Sequence, residues 1–155
     1  MPLIFLQCLA SLILALDPDY KITPEQLDTA HSIWYNEHVP ESKELLAIAF
    51  IESRYRQNAV SVKGAKGVFQ IMPIAEKDVN ETFNKTLTRD RIYDNIAIGA
   101  LYWKLLKSRY SDLKTAIVAY NAGHVWTDKA SIPKETREYW QKFNTMIQAA
   151  TCEKN

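Results

Sequence analysis

The chain has 155 residues and is 47% hydrophobic, 11% aromatic and 24% charged, which suits one domain with its own core and excludes a disordered chain. Nineteen basic residues against 18 acidic ones leave a formal net charge of +1, without the basic excess or stripe of a nucleic-acid binder. Six prolines and four glycines, with no internal repeat or low-complexity run, exclude collagen-like and linker-rich organisation.

The charge is unevenly placed. Met1 to Leu16 carries no charged side chain, and Leu3 to Leu16 is apolar apart from Gln7, Cys8 and Ser11. A run of this length is short of the roughly 20 residues of a membrane span but fits the apolar core of a secretory signal. No Lys or Arg precedes it, however, and no A-x-A cleavage pattern follows. We read residues 1–16 as a signal-like or anchor segment ahead of one domain over 17–155; the alternative is a buried N-terminal helix. Cys8 lies in this run and Cys152 near the C-terminus, so cleavage would leave one thiol and no internal disulfide.

Beyond residue 16 the pattern is helical. Thr23, Pro24 and Gln26 form a helix start with a capping residue, Pro in the first turn and Gln three residues on, for a helix carrying Leu27, Ala30, Ile33 and Trp34 on one face. Ser42 caps a second helix, from Lys43 to about Ser53. Residues 57–68, with Gly64, Gly67 and alternating valines, read as a loop with a short hairpin. Pro73 opens a helix to about Val79, and residues 80–91 read as surface loop. Asp94 or Asn95 then caps an all-round apolar, central helix from Ile96 to Leu106. Asp112 caps Leu113 to Ala122, which Gly123 stops, and Pro133 starts a last helix from Lys134 to about Ala150. With no βαβ alternation, the fold class is mainly α.

Glu52 is out of place in this pattern. It follows Leu45, Ile48 and Ala49 by seven, four and three residues and so projects from their packing stripe. An ionised carboxylate there costs several kcal/mol unless it is paired or neutral. Burial among apolar groups raises a carboxyl pKa, which keeps a Glu protonated as a general acid. The bland alternative is a Glu at a helix end, exposed or paired with Arg54 or Arg56.

The residues after Glu52 bear on that choice. Glu52-Ser53 leads into Gly64-Ala65-Lys66-Gly67-Val68-Phe69-Gln70-Ile71-Met72-Pro73, and later come Ala119-Tyr120-Asn121-Ala122-Gly123 and Pro133, Glu135-Thr136 and Tyr139. Together these resemble the soluble lytic transglycosylase family of peptidoglycan-cleaving enzymes, which have a lysozyme-like fold. The resemblance covers about residues 41–143 and rests on four motifs in the family's order. It departs from the family at Val68-Phe69, usually Leu-Met, and at Ile74, often Thr. His124-Val125-Trp126 falls outside the pattern.

The resemblance implies a mainly α, lysozyme-like domain with a short loop or small hairpin after the catalytic helix. It implies cleavage of the bond between N-acetylmuramic acid and N-acetylglucosamine by one catalytic acid/base, Glu52, leaving a 1,6-anhydro end, with Tyr120 assisting. Hydrolytic glycosidases ordinarily use two carboxylates. Here Glu52 is the only acid within the first three motifs, although Asp94 or Asp128 could fold inward. A nucleophile supplied by the substrate itself needs only one.

Candidate substrate-binding residues are Ser53, Gly67, Gln70, Met72, Asn121, Ala122, Glu135 and Tyr139. Several have a plainer reading: Ser53 bonding back to the main chain, Gly64 and Gly67 an ordinary turn, Met72 core, Asn121 a helix end, and Glu135 answering a helix dipole. Trp103, Trp126 and Trp140 are possible sugar platforms or core, and His31, His38 and His124 form no ligand pattern. We expect no cofactor and no metal. The expected partners are peptidoglycan glycan strands, with no nucleic acid, for a monomer. Export to the periplasm or membrane surface is expected, in wall turnover or an envelope-spanning secretion, conjugation or phage apparatus, with the phage virion as the other location. The alternatives are a hydrolytic muramidase on the same fold and a non-catalytic wall-binding or assembly protein.

Overall fold

A computed structural model describes residues 1–152, which form seven α-helices and one 3-10 turn among the described residues. The first helix, α1 (Leu3–Leu16), buries Phe5, Cys8, Leu9, Leu12 and Ile13 against the rest of the core. Residues 3–16 stand apart in charge but pack as a helix with the rest of the core. The physical reason is a matching apolar face on α7 (Lys134–Ala149), whose Tyr139, Phe143 and Met146 are buried in the same core. Cys8 and Cys152 are joined in a disulfide, and the Thr151 amide donates to Ser11 Oγ beside it. No helix of the described residues is long and apolar enough to cross a membrane.

Helix α2 (Pro24–Trp34) begins at the expected capping box, with Thr23 Oγ1 accepting from the Gln26 amide and Gln26 Oε1 accepting from the Thr23 amide. Its Ala30, Ile33 and Trp34 are buried and Leu27 packs beside them. Helix α3 (Lys43–Ser53) starts at Ser42, whose hydroxyl accepts from the Leu45 amide. Leu45 through Phe50 are all buried, so α3 shares the centre of the molecule with α5 (Ile92–Arg109).

Two helices have boundaries that differ from those read in the sequence. Helix α4 (Pro73–Phe83) runs four residues past Val79, because Val79 is buried and Phe83 packs on the core while the polar residues face water. Helix α5 begins at Ile92, so Asp94 and Asn95 lie within its first turn and neither caps it. Asp94 instead accepts from the Thr88 amide, and Asn95 turns inward. Helix α6 (Leu113–Ala122) begins where Asp112 accepts from the Thr115 amide and ends at Gly123, as expected; the 3-10 turn His124–Trp126 follows.

Candidate active site

Glu52 sits in the last turn of α3, and the backbone beyond it is unusual. Arg54 and Tyr55 both adopt left-handed conformations, at φ 53° and 61°, which non-glycine residues enter at a cost. Tertiary contacts hold them there. Tyr55 is fully buried and its hydroxyl donates to the Leu46 carbonyl, while Arg54 pairs with Asp17 at 2.8 Å and lies over the Tyr20 and Phe50 rings. The segment between α1 and α2 therefore fixes the turn behind Glu52. Neither cation considered for Glu52 pairs with it: Arg54 is bound to Asp17, and Arg56 donates to the Ser53 carbonyl.

Residues 56–72 form the wall beside it. Two isolated bridges, Val60 with Lys66 and Lys66 with Ile71, stand where a short hairpin was expected, without a full strand. The loop is fastened from three sides. Ser53, buried at the end of α3, donates to the Val68 carbonyl at 2.7 Å. Asn95 of α5 accepts from the Phe69 amide and donates to the Lys66 and Arg89 carbonyls. The Arg89 guanidinium donates to the carbonyls of Gly64 and Ile71. Gly67, at φ 76°, lies so close to Asn95 that a Cβ would come within 2.3 Å of its amide nitrogen. The Phe69 ring lies over Gly99 of α5 in the same way.

Around Glu52 these elements bring together Tyr120 from α6 and Tyr139 and Glu135 from α7. Glu52 is half-buried, and loss of hydration lifts its carboxyl from the ordinary 4.5 to about 8, with the Glu135 carboxylate adding to the rise. Burial, and then the nearby Glu52 carboxyl, hold the Tyr120 and Tyr139 hydroxyls well above their usual range. Tyr120 donates to the Phe69 carbonyl at 2.8 Å and packs against Tyr102 and Trp103. The buried Tyr139 hydroxyl has no hydrogen-bond partner among the described residues. A carboxyl that burial keeps protonated can give up a proton to an acceptor entering the site and take one back.

The other candidates divide by what their polar atoms already do. Ser53 spends its hydroxyl on main-chain carbonyls and so positions the loop. Gln70, at φ 49°, donates its amide to the carbonyls of Ala59 and Gly67, which leaves Oε1 without a hydrogen bond in the protein. Met72 is 36% exposed at the start of α4. Asn121 and Ala122 are half-buried at the end of α6, where the Asn121 amide makes no hydrogen bond among the described residues. His124 stands apart, against Tyr110 and Arg109 at 2.6 and 3.3 Å. Of the tryptophans, Trp103 is core, and Trp140 packs beside Phe143. Among the described residues no cluster of three or more His, Cys, Asp and Glu could hold a metal ion. Sequence reasoning missed Asn95 and Arg89 as loop anchors; the signal for Asn95 was its place in an otherwise apolar run.

The all-helical architecture, with a carboxyl at the end of a central helix and a looped wall beside it, is lysozyme-like. Residues 33–143 match the family model described as the transglycosylase SLT domain, and the chain belongs to that family. Among solved structures it is similar to an inactive mutant of lytic transglycosylase Slt from Pseudomonas aeruginosa, at 23% identity and a TM-score of 0.61. That match covers 87% of this chain and 24% of the other, so the chain spans about a quarter of that protein's length. No curated protein matches it.

Proposed function

We propose that this domain is a peptidoglycan lytic transglycosylase in which Glu52 acts as both acid and base. The observation that carries this reading is the Glu52 carboxyl: without a cationic partner, and lifted to about 8 by burial and by Glu135, it is a proton donor at neutral pH. Glu52 gives its proton to the oxygen joining N-acetylmuramic acid to N-acetylglucosamine, and the C1–O bond breaks. The carboxylate then removes the proton of the C6 hydroxyl on the same muramyl ring. O6 closes onto C1, so a 1,6-anhydro end forms and no water is added.

Tyr139 lines the site with its hydroxyl buried, and Tyr120 holds the Phe69 carbonyl and with it the loop. Gln70 Oε1 accepts from an N-acetyl amide, Asn121 bonds a second sugar, and Ala122 and Gly67 let the backbone come close. Met72 packs under a ring. Neither metal nor organic cofactor takes part. Membership of the family supports peptidoglycan as substrate and a site of action outside the cytoplasmic membrane. The Cys8–Cys152 disulfide supports an oxidising compartment as well.

One observation favours hydrolysis on the same fold: Glu135 is near enough to Glu52 to raise its pKa, and two carboxylates are the usual equipment of a hydrolase. Digestion of purified walls separates the readings. Mass spectrometry should find anhydro-muramyl ends with the wild type and none with Glu52→Gln. Reducing ends would overturn the transglycosylase reading, and unchanged wall clearing by Glu52→Gln would overturn the role of Glu52.

A further inference from the structure

Glu52 has Phe50 two residues before it and Arg54 two residues after it, and one ring grips both. Tyr20 meets the Phe50 ring edge-on at 5.1 Å, and the Arg54 guanidinium lies 4.8 Å from the centre of the Tyr20 ring and 5.0 Å from that of Phe50. The same guanidinium donates to Asp17 at 2.8 Å. Asp17 and Tyr20 belong to one turn, in which the Tyr20 amide donates to the Asp17 carbonyl. The Tyr20 hydroxyl donates to Gln26 Oε1, the atom that closes the capping box of α2. Phe50 stands about 200° around α3 from Glu52, so the grip is on the back of that helix and the carboxyl faces the other way. Asp17 and Tyr20 both precede residue 33, where the match to the family model begins.

We propose that Asp17, Tyr20 and Arg54 are positioning residues for the cleavage reaction: they hold the turn after α3 and thereby the place of the Glu52 carboxyl. The need for such a clasp comes from the backbone. Arg54 and Tyr55 are consecutive residues at positive φ, and each such non-glycine residue weights the chain against the turn by about fivefold to thirtyfold. Tyr55 is secured by full burial and by its bond to the Leu46 carbonyl. The Arg54 side chain is 41% exposed, and what secures it is the Asp17 pair and the two rings. Without them Arg54 relaxes toward ordinary backbone angles, and the last turn of α3, which carries Glu52, moves with it. Proton transfer needs hydrogen-bond distance, and a misplacement of about 1 Å can cost a hundredfold in rate. The guanidinium is engaged with Asp17 and the rings, so its influence on Glu52 runs through the main chain. The proposal rests on the reading of Glu52 as acid and base.

The test compares cleavage of purified glycan strands by the wild type, Asp17→Asn, Arg54→Ala and Arg54→Gly, at a temperature where unfolding curves show each to be folded. Arg54→Ala should lose about tenfold in kcat and Asp17→Asn about threefold, both with KM unchanged, because no substrate contact is altered. Asp17→Asn should cost nothing further once Arg54 is replaced by Ala, since the two side chains act as a unit. Arg54→Gly should recover most of what Arg54→Ala loses, because glycine enters positive φ freely. A sugar contact made by Arg54 predicts instead an equal loss in both variants and a raised KM. Backbone chemical shifts of residues 53–56 need no turnover. They should report the left-handed turn in the wild type and Arg54→Gly, and a mixture with ordinary angles in Arg54→Ala. Full kcat in Arg54→Ala, a change in KM alone, equal losses for Gly and Ala, or an unchanged turn in Arg54→Ala would overturn the proposal. Undiminished cleavage by Glu52→Gln would count against the catalytic reading, while the chemical shifts still decide whether the clasp holds the turn.

Discussion

Replacing Glu52 by Gln should make the protein more stable, and only above a certain pH. The unfolded chain releases the Glu52 proton near the ordinary 4.5, whereas the folded chain holds it to about 8. Below pH 4.5 both states are protonated and the residue contributes no pH-dependent difference. Between 4.5 and 8 the folded state keeps a proton that the unfolded state has lost, so stability falls as pH rises; above 8 the penalty is full. Each pH unit within that interval costs about 1.4 kcal/mol, so at pH 7 the penalty approaches roughly 3 kcal/mol, less what partial access to water relieves. Gln has nearly the same shape and no charge. Glu52→Gln should therefore raise the melting temperature at pH 7 by about 4–9 °C for a domain of this size, and by little or nothing at pH 4. Calorimetry of both proteins across pH 4–9 measures this. An equal gain at pH 4 and pH 8, or none at pH 8, would refute an unpaired, desolvated carboxyl and the proton-donor role built on it.

Four other perturbations probe the frame around the site. Ser53→Ala leaves the buried Val68 carbonyl without its 2.7 Å donor and should cost about 1–3 kcal/mol in urea unfolding. Gly67→Ala should cost distinctly more than Gly64→Ala: both residues have positive φ, but a Cβ at Gly67 meets Asn95 at 2.3 Å while one at Gly64 meets nothing within 4 Å. Similar urea midpoints for the two would show that the Asn95 contact gives way easily. Paired Cys8→Ser and Cys152→Ser should lower stability by about 2–5 kcal/mol, and a variant lacking residues 1–16 should lose its cooperative transition, because five buried side chains of α1 leave the core.

The helices after residue 16 were legible because their ends carry local chemistry. The Thr23 box, Ser42, Asp112 and Gly123 act within a few residues of themselves, and the structure uses each as read. Asn95 was misread for a corresponding reason. As a cap it would act locally, but its partners are at Lys66, Phe69 and Arg89, and spacing does not disclose such pairings. The same holds for the apolar run. Nothing within residues 1–16 distinguishes a segment that packs on the core from one that enters a membrane, since the deciding partners lie outside the run, at His31 and Trp34 of α2 and on α7. Glu52 was legible from its stripe, and its electrostatic neighbour Glu135 only through the fourth motif. The left-handed Arg54 and Tyr55 were not legible at all, because they are held by the distant Asp17 and Tyr20.

The bond between Cys8 and Cys152 also closes the polypeptide into a covalent ring that passes through the site. Helices of such a ring cannot peel away from a loose end at the α1–α7 seam. Native-state opening is then pushed toward interior segments, and residues 56–72 have few ladder bonds and depend on three side-chain anchors. Amide protons should accordingly exchange slowest along α1 and α7 and fastest in the wall beside Glu52. The ring concentrates give in the part of the molecule that borders the candidate site.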